Sequence, residues 1–107
     1  MKAELYNFRC WVSESDAVLL KTELEDLLNT CDFEILGFMD HHFNPQGYTC
    51  IWLLGESHLA VHTYPEHDKA YVELTSCVQE KNVQFKELLQ KRFTRTTIEI
   101  EKLSLEN

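Results

Sequence analysis

The chain has 107 residues, of which 44% are hydrophobic and 26% are charged, and these values predict a single globular domain over residues 1–107 rather than a disordered or collagen-like chain. Ten basic residues against eighteen acidic ones give a net charge of −8, which argues against binding the phosphate backbone of a nucleic acid. No apolar run approaches the roughly 20 residues of a membrane helix, and the start Met1–Glu4 does not resemble a signal peptide.

The first half of the chain predicts one helix among three strands. Apolar side chains alternate imperfectly from Glu4 to Val12, which indicates a strand. From Ala17 to Cys31 they recur at helical spacing over four turns. Two further strands are predicted from Phe33 to Phe43 and from Tyr48 to Leu54, and Asn44–Gly47 between them has the composition of a turn.

The second half predicts two strands, a helix and a last strand. The strands run from Ser57 to Thr63 and from Lys69 to Cys77, and the polar turn Tyr64–Asp68 joins them. A clean alternation from Thr96 to Leu103 predicts an edge strand. A second amphipathic helix starts near Asn82 and carries four apolar residues on one face: Phe85, Leu88, Leu89 and Phe93.

Capping residues and element order complete the prediction. Ser13 or Ser15 is expected to cap the first helix, with Asp16 in its first turn, and Asn82 is expected to cap the second. The order β-α-β-β-β-β-α-β has its hairpins in the middle, which predicts a mostly antiparallel sheet. Both helices can cover one face of it, so the fold class is a two-layer α+β domain.

The cysteine spacing is typical of free thiols. Cys10, Cys31, Cys50 and Cys77 are about twenty or more residues apart and form no C-x-x-C pair, so neither a zinc ribbon nor a disulfide framework is predicted. We therefore expect a reducing, cytoplasmic environment. Cys10, Cys31 and Cys50 are expected to act as small buried hydrophobes.

One face of the strand from Ser57 to Thr63 is unusual. Alternation directs Leu59 and Val61 toward the helices, and it directs His58, Ala60 and His62 to the opposite face. That face is either half-solvated, as in many antiparallel sheets, or it packs on another subunit or forms a site. The clustered histidines leave both interpretations open.

Hairpin pairing predicts two polar corners on this sheet. A two-residue loop at Gly55–Glu56 would place Thr49 opposite His62. A second hairpin centred on His67 would place Cys77 opposite Ser57.

The two corners lie far apart along one strand. Ser57 and His62 are five residues apart, roughly 16 Å at about 3.3 Å per residue. One chain cannot easily bring both corners to one substrate. A two-fold dimer can, because it sets one corner of each subunit against the other corner of its partner.

The segment from Gly55 to Glu66 resembles the self-processing region of the pyruvoyl-dependent S-adenosylmethionine decarboxylases of the bacterial and archaeal type. It contains Glu-Ser-His, then His-Thr-Tyr-Pro-Glu, and Thr-Ser-Cys follows some ten residues later. The spacings from Ser57 to His62 and from Ser57 to Cys77 also agree with that family. The resemblance extends over Phe38–Cys77, and the flanking elements match in order and length.

The resemblance implies self-cleavage between Glu56 and Ser57. The products would be a β chain of residues 1–56 and an α chain of residues 57–107. Ser57 Oγ would attack the Glu56 carbonyl, and elimination and hydrolysis would convert Ser57 into a pyruvoyl group. Gly55 is expected to tolerate the strained turn that such an attack requires.

Further roles follow from the same resemblance. His62 would be the base in processing, Thr49 would supply an assisting hydroxyl, and Cys77 would return a proton to the substrate carbon after carbon dioxide leaves. The pyruvoyl ketone would form a Schiff base with the substrate amine and accept the electrons released by decarboxylation. No metal is implied.

The implied substrate is S-adenosylmethionine, whose decarboxylated form is used in spermidine (polyamine) synthesis. Phe43 would stack on the adenine, although it could also be a core aromatic at a strand end. Glu66 would hold the ribose hydroxyls, although it could be a solvated turn residue. The resemblance also implies a homodimer with shared active sites in a four-layer α/β/β/α assembly.

Three alternatives remain. The same chemistry could act on arginine or ornithine, since relatives with changed substrates keep the processing residues. The chain could be an uncleaved binding or regulatory relative. A metal protein could use the histidines at neighbouring strand positions, although adjacent residues point to opposite faces and make a poor chelate; these are His41, His42, His58 and His62.

Overall fold

A computed structural model describes residues 3–93 and 96–105, so six residues of the predicted domain lie outside the described part: Met1, Lys2, Thr94, Arg95, Glu106 and Asn107. The element order is β-α-β-β-β-β-α-β, as predicted. The two helices and six strands are bounded as follows: β1 Ala3–Val12, α1 Ala17–Thr30, β2 Ile35–His42, β3 Tyr48–Leu54, β4 Ser57–Tyr64, β5 Lys69–Ser76, α2 Gln79–Arg92 and β6 Thr96–Leu105.

The strands form one six-stranded sheet in the order β2-β3-β4-β5-β1-β6. Every pairing between these strands is antiparallel. β6 is an edge strand beside β1, as predicted. The alternating side chains of residues 96–103 lie outside the described part of the chain. The α+β fold class is confirmed.

The core lies between the sheet and the two helices. Alternate residues of β4 face it, and Leu59 and Val61 are fully buried there, as the alternation predicted. Phe8 of β1 meets Phe85 of α2 with ring centroids 6.3 Å apart. Four leucines of α1 are also buried in this core: Leu20, Leu24, Leu27 and Leu28. The opposite face of the sheet carries neither helix, and we call it the open face.

The predicted caps of both helices are wrong. Asp16 itself caps α1, because its carboxylate accepts a hydrogen bond of 3.0 Å from the Val18 N–H, which satisfies a free donor of the first turn. α2 begins at Gln79, three residues before Asn82. Asn82 is buried inside the helix, where its amide donates to the Tyr6 carbonyl of β1 at 2.9 Å.

Candidate active site

Four of the predicted site residues line one open cleft of about 350 Å³, at the end of β4 that leads into the Pro65–His67 turn. They are Phe43, Thr49, His62 and Glu66, and we call this group the histidine corner. Thr49 lies opposite His62 in the pairing of β3 with β4, as predicted from the two-residue hairpin loop. The Thr49 hydroxyl and His62 Nδ1 are 2.9 Å apart, within hydrogen-bond distance.

The two predicted recognition residues of this corner are both accessible to a ligand. Phe43 is 51% exposed, so the alternative that it is a core aromatic is wrong. Its backbone N–H donates to the Gly47 carbonyl at 2.8 Å, which holds the end of the turn. The exposed Glu66 carboxylate accepts a hydrogen bond from Gln46 at 2.9 Å. An aromatic face and a carboxylate beside one cleft suit a ligand that has a flat ring and hydroxyl groups.

A second group of predicted site residues lies at the other end of β4. It consists of Glu56, Ser57 and Cys77, and we call it the serine corner. Leu54 pairs with Ser57, so the turn between β3 and β4 has two residues. Ser57 is 9% exposed and Cys77 is exposed. The Cys77 thiol donates to the Glu56 carboxylate, with Sγ 3.6 Å from Oε2.

The strained residue of this turn is not the predicted one. Glu56 has a φ of +57°, whereas Gly55 has no such angle and donates its N–H to the Glu34 carbonyl at 3.1 Å. A left-handed conformation costs a residue with a Cβ roughly 1–2 kcal/mol. The strain therefore sits on the residue whose carbonyl Ser57 would attack.

The predicted pairing of Cys77 with Ser57 is wrong by one residue. Tyr64 pairs with Lys69 and His58 with Thr75, so continuing this register places Cys77 opposite Glu56. The reason is the turn, which has four residues between the strands and is closed by a bond of 3.1 Å from the Asp68 N–H to the Pro65 carbonyl. A four-residue loop has its centre between two residues and not on His67.

The two corners remain separate within one chain. Ser57 and His62 are five residues apart on an extended strand, roughly 16 Å at about 3.3 Å per residue. Their side chains also point to opposite sides of the sheet, since Ser57 shares the covered face with Leu59 whereas His62 lies on the open face. A single chain does not assemble the two groups into one site.

The cysteines divide as predicted. Cys10, Cys31 and Cys50 are buried, and Cys77 is exposed. Burial raises the pKa of the Cys10 and Cys50 thiols to about 12 and that of Cys31 to about 11. These three therefore remain neutral thiols at physiological pH, and Cys77 is the cysteine that is open to chemistry.

Residues for which the sequence predicted no role also border the histidine corner. Gln46, Tyr48 and Tyr64 line the cleft, and the Tyr48 hydroxyl donates to Asp40 at 2.6 Å. Burial and that hydrogen bond both raise the pKa of Tyr48. Tyr64 could have been found from the sequence, because it lies within the His-Thr-Tyr-Pro-Glu motif; Gln46 carries no such signal.

The histidines do not converge. His41 and His42 lie on opposite faces of β2, where their rings contact Phe43 and Tyr48 with centroids 4.6 Å and 4.5 Å apart. Among the side chains that the structure describes, those of residues 4–93, no three His, Cys, Asp or Glu are arranged to hold a metal ion. Over the same residues, no helix has the length and apolar character needed to cross a membrane.

Comparison with known sequences gives one consistent family. The family model for S-adenosylmethionine decarboxylase matches residues 3–104. An S-adenosylmethionine decarboxylase proenzyme of Brevibacillus brevis is 40% identical over 63 residues, which are 59% of this chain and 47% of that protein. One from Methanococcus aeolicus is 37% identical over 59 residues, 55% of this chain and 50% of that protein. The matched segment thus spans about half the length of these curated relatives.

Solved structures support the fold. The adenosylmethionine decarboxylase of Aquifex aeolicus superposes with a TM-score of 0.79 at 20% identity, covering 99% of this chain and 94% of that one. A Trypanosoma brucei AdoMetDC monomer superposes with a TM-score of 0.51 at 13% identity, covering 92% of this chain and 45% of that one. At these identities the comparison concerns the fold alone.

Proposed function

Because this chain belongs to the S-adenosylmethionine decarboxylase family, we propose that it is a self-processing, pyruvoyl-dependent decarboxylase that converts S-adenosylmethionine to its decarboxylated form for spermidine synthesis. The observation that carries the proposal is the serine corner: a buried serine directly follows a left-handed Glu56 in a two-residue turn, with the Cys77 thiol beside it. We further propose a cytoplasmic location, since the thiols are free.

The serine corner fits the formation of a pyruvoyl group from the chain itself. The Ser57 hydroxyl attacks the Glu56 carbonyl, the C–N bond breaks, and Glu56 becomes esterified to the serine oxygen. Loss of the Ser57 α-proton then expels the Glu56 carboxylate and leaves a dehydroalanine at residue 57. Water hydrolyses this residue to a ketone and releases ammonia. The strain at Glu56 favours the first step, because breaking the peptide bond relieves it.

Residues of both corners have defined tasks in the decarboxylation. The pyruvoyl ketone, once formed at residue 57, supplies an electron sink for the carboxylate-bearing carbon. Cys77 delivers a proton to that carbon after carbon dioxide leaves, which requires a thiol rather than a thiolate. Phe43 presents its ring to the adenine, and Glu66 accepts hydrogen bonds from the ribose hydroxyls.

The experiment measures cleavage and substrate choice separately. Intact mass of the denatured purified protein is expected to give two fragments, residues 1–56 and a pyruvoyl-blocked 57–107. Carbon dioxide release is then compared for S-adenosylmethionine, arginine and ornithine. Release from S-adenosylmethionine supports the proposal, and release from an amino acid alone would identify the same chemistry with another substrate. A single full-length mass would contradict the enzyme assignment.

The proposed assembly is a homodimer that joins the open faces of two sheets. This face exposes three apolar side chains on β2 and β3: Met39 is 69% exposed, Leu53 57% and Ile51 37%. Exposed apolar patches of this kind mark protein contacts. Face-to-face packing would give four layers and bring the serine corner of one subunit toward the histidine corner of its partner.

Placing a charge on the open face should separate the subunits. We expect Leu53→Glu to convert a dimer to a monomer in sedimentation velocity, because each subunit would bury a carboxylate in the apolar interface. The matched control is Val18→Glu on α1, where the side chain is 75% exposed outside the sheet, and it should stay dimeric. A dimeric Leu53→Glu protein would contradict this interface.

A further inference from the structure

The Glu56 side chain has no task in the chemistry described above, yet it makes a specific contact. The Cys77 thiol donates to its carboxylate, with Sγ 3.6 Å from Oε2. We infer that Glu56 is a positioning residue for Cys77: in the uncleaved chain it holds the exposed thiol by accepting its hydrogen bond, and cleavage of the Glu56–Ser57 bond releases the thiol for its role as proton donor. This inference rests on the proposed function.

The contact depends on the intact turn. Leu54 pairs with Ser57 on either side of the turn, and Glu56 is held between them at a φ of +57°. The β4–β5 register, continued by one residue, sets Glu56 across from Cys77. After cleavage Glu56 is the last residue of the β chain, and the peptide bond that fixed its backbone is gone. Its side chain is then free to leave the sulfur.

The chemical consequence concerns the reactivity of the sulfur. A sulfur whose S–H is engaged by a carboxylate is less free to approach another atom, because a hydrogen bond to a charged acceptor is stronger than one to a neutral acceptor. The uncleaved chain therefore holds the thiol hydrogen of Cys77 toward Glu56. In the cleaved chain the thiol is free to turn toward the substrate at the moment when the reaction first needs it. Cleavage would in this way coordinate the formation of the electron sink with the release of the proton donor.

The cysteine distribution makes this measurable. Cys10, Cys31 and Cys50 are buried and Cys77 is exposed. A neutral reagent such as iodoacetamide should therefore label one position of the folded protein. Its neutrality also means that changing the charge of a nearby residue does not attract or repel the reagent. The labelled site is verified by peptide mass and by loss of labelling in Cys77→Ser.

The test compares alkylation rates of uncleaved chains that all carry Ser57→Ala. We expect the added Glu56→Gln change to increase the rate of Cys77 alkylation at pH 7.5 at least about threefold, because a neutral amide oxygen accepts the thiol hydrogen bond more weakly than a carboxylate does and holds the sulfur less firmly. The matched control is Glu34→Gln, which removes a carboxylate that borders Gly55 in the same turn and should leave the rate unchanged. Equal rates for Glu56→Gln and its parent would overturn the inference.

A second comparison leaves residue 56 unaltered. The processed wild-type protein should be alkylated faster than the uncleaved Ser57→Ala chain. Equal alkylation rates for these two proteins would overturn the inference. This comparison remains decisive even if Glu56→Gln fails to fold. Failure of the proposed function looks different. It appears in the intact mass, as a wild-type chain that is never cleaved or a Ser57→Ala chain that still is, whatever the alkylation rates.

Discussion

Ser57→Ala is expected to remain a single full-length chain and to release no carbon dioxide from S-adenosylmethionine above background. Ser57 supplies the hydroxyl that attacks in the cleavage, and the same oxygen leaves in the elimination that leads to the ketone. Alanine has no hydroxyl, so the loss should be complete rather than partial. Intact mass after prolonged incubation measures the cleavage, and carbon dioxide release measures the reaction.

A matched serine tests whether the effect belongs to position 57. Ser76 is fully buried on β5 and lies opposite Ser57 when the observed register is continued. Its hydroxyl accepts a hydrogen bond of 2.9 Å from the Val78 N–H at the start of α2. Ser76→Ala should therefore cost about 1 kcal/mol of stability and still be cleaved. Two fragments from Ser57→Ala would show that another residue carries the chemistry.

The elements with strong periodicity could be predicted closely. β3 has its predicted ends, Tyr48 and Leu54, because a short apolar run between two turn sequences leaves little choice of boundary. α1 begins at the predicted Ala17, where the apolar residues that recur at helical spacing also begin. The β4 alternation separated the covered face from the open face correctly.

Caps and registers depended on contacts that local sequence does not contain. Ser13, Ser15 and Asp16 are all good capping residues, and the side chain that caps α1 is decided by where the chain leaves β1. Asn82 has the composition of a cap but its amide donates to the distant Tyr6 carbonyl. The β4–β5 register depends on the four-residue turn, whose length could not be deduced from a run of polar residues.

The candidate site likewise has contacts that could be predicted from the sequence and one that could not. The pairing of Thr49 with His62 followed from a two-residue hairpin loop, which permits few alternatives. Phe43 and Glu66 came from the resemblance, and the structure brings both to the cleft that Thr49 and His62 line. The contact of Cys77 with Glu56 rather than Ser57 was not predictable, because it depends on one residue of register.

His62→Ala is expected to slow self-cleavage by about 10²–10⁴-fold, the usual contribution of a general acid or base. The hydrogen bond between His62 Nδ1 and the Thr49 hydroxyl, 2.9 Å long, holds the ring and leaves Nε2 to act on another group. His62→Ala removes the base itself, whereas Thr49→Val removes only the hydrogen bond that holds the imidazole ring in place. Thr49→Val should therefore be cleaved more slowly than wild type but faster than His62→Ala, in a time course of intact mass.

Co-expression of two inactive chains tests which subunit supplies the base. Ser57 and His62 of one chain lie at opposite ends of β4, and the proposed dimer brings the partner's histidine corner toward Ser57, so the base for each Ser57 should come from the partner. A Ser57→Ala chain paired with a differently tagged His62→Ala chain then contains one complete site, formed by the intact serine of one and the intact histidine of the other. Random pairing makes about half of all dimers mixed, so about half of the His62→Ala chains should be cleaved. If His62 acted on Ser57 of its own chain, neither tagged chain would be cleaved in the mixture, and the homodimer would no longer be needed to complete the site.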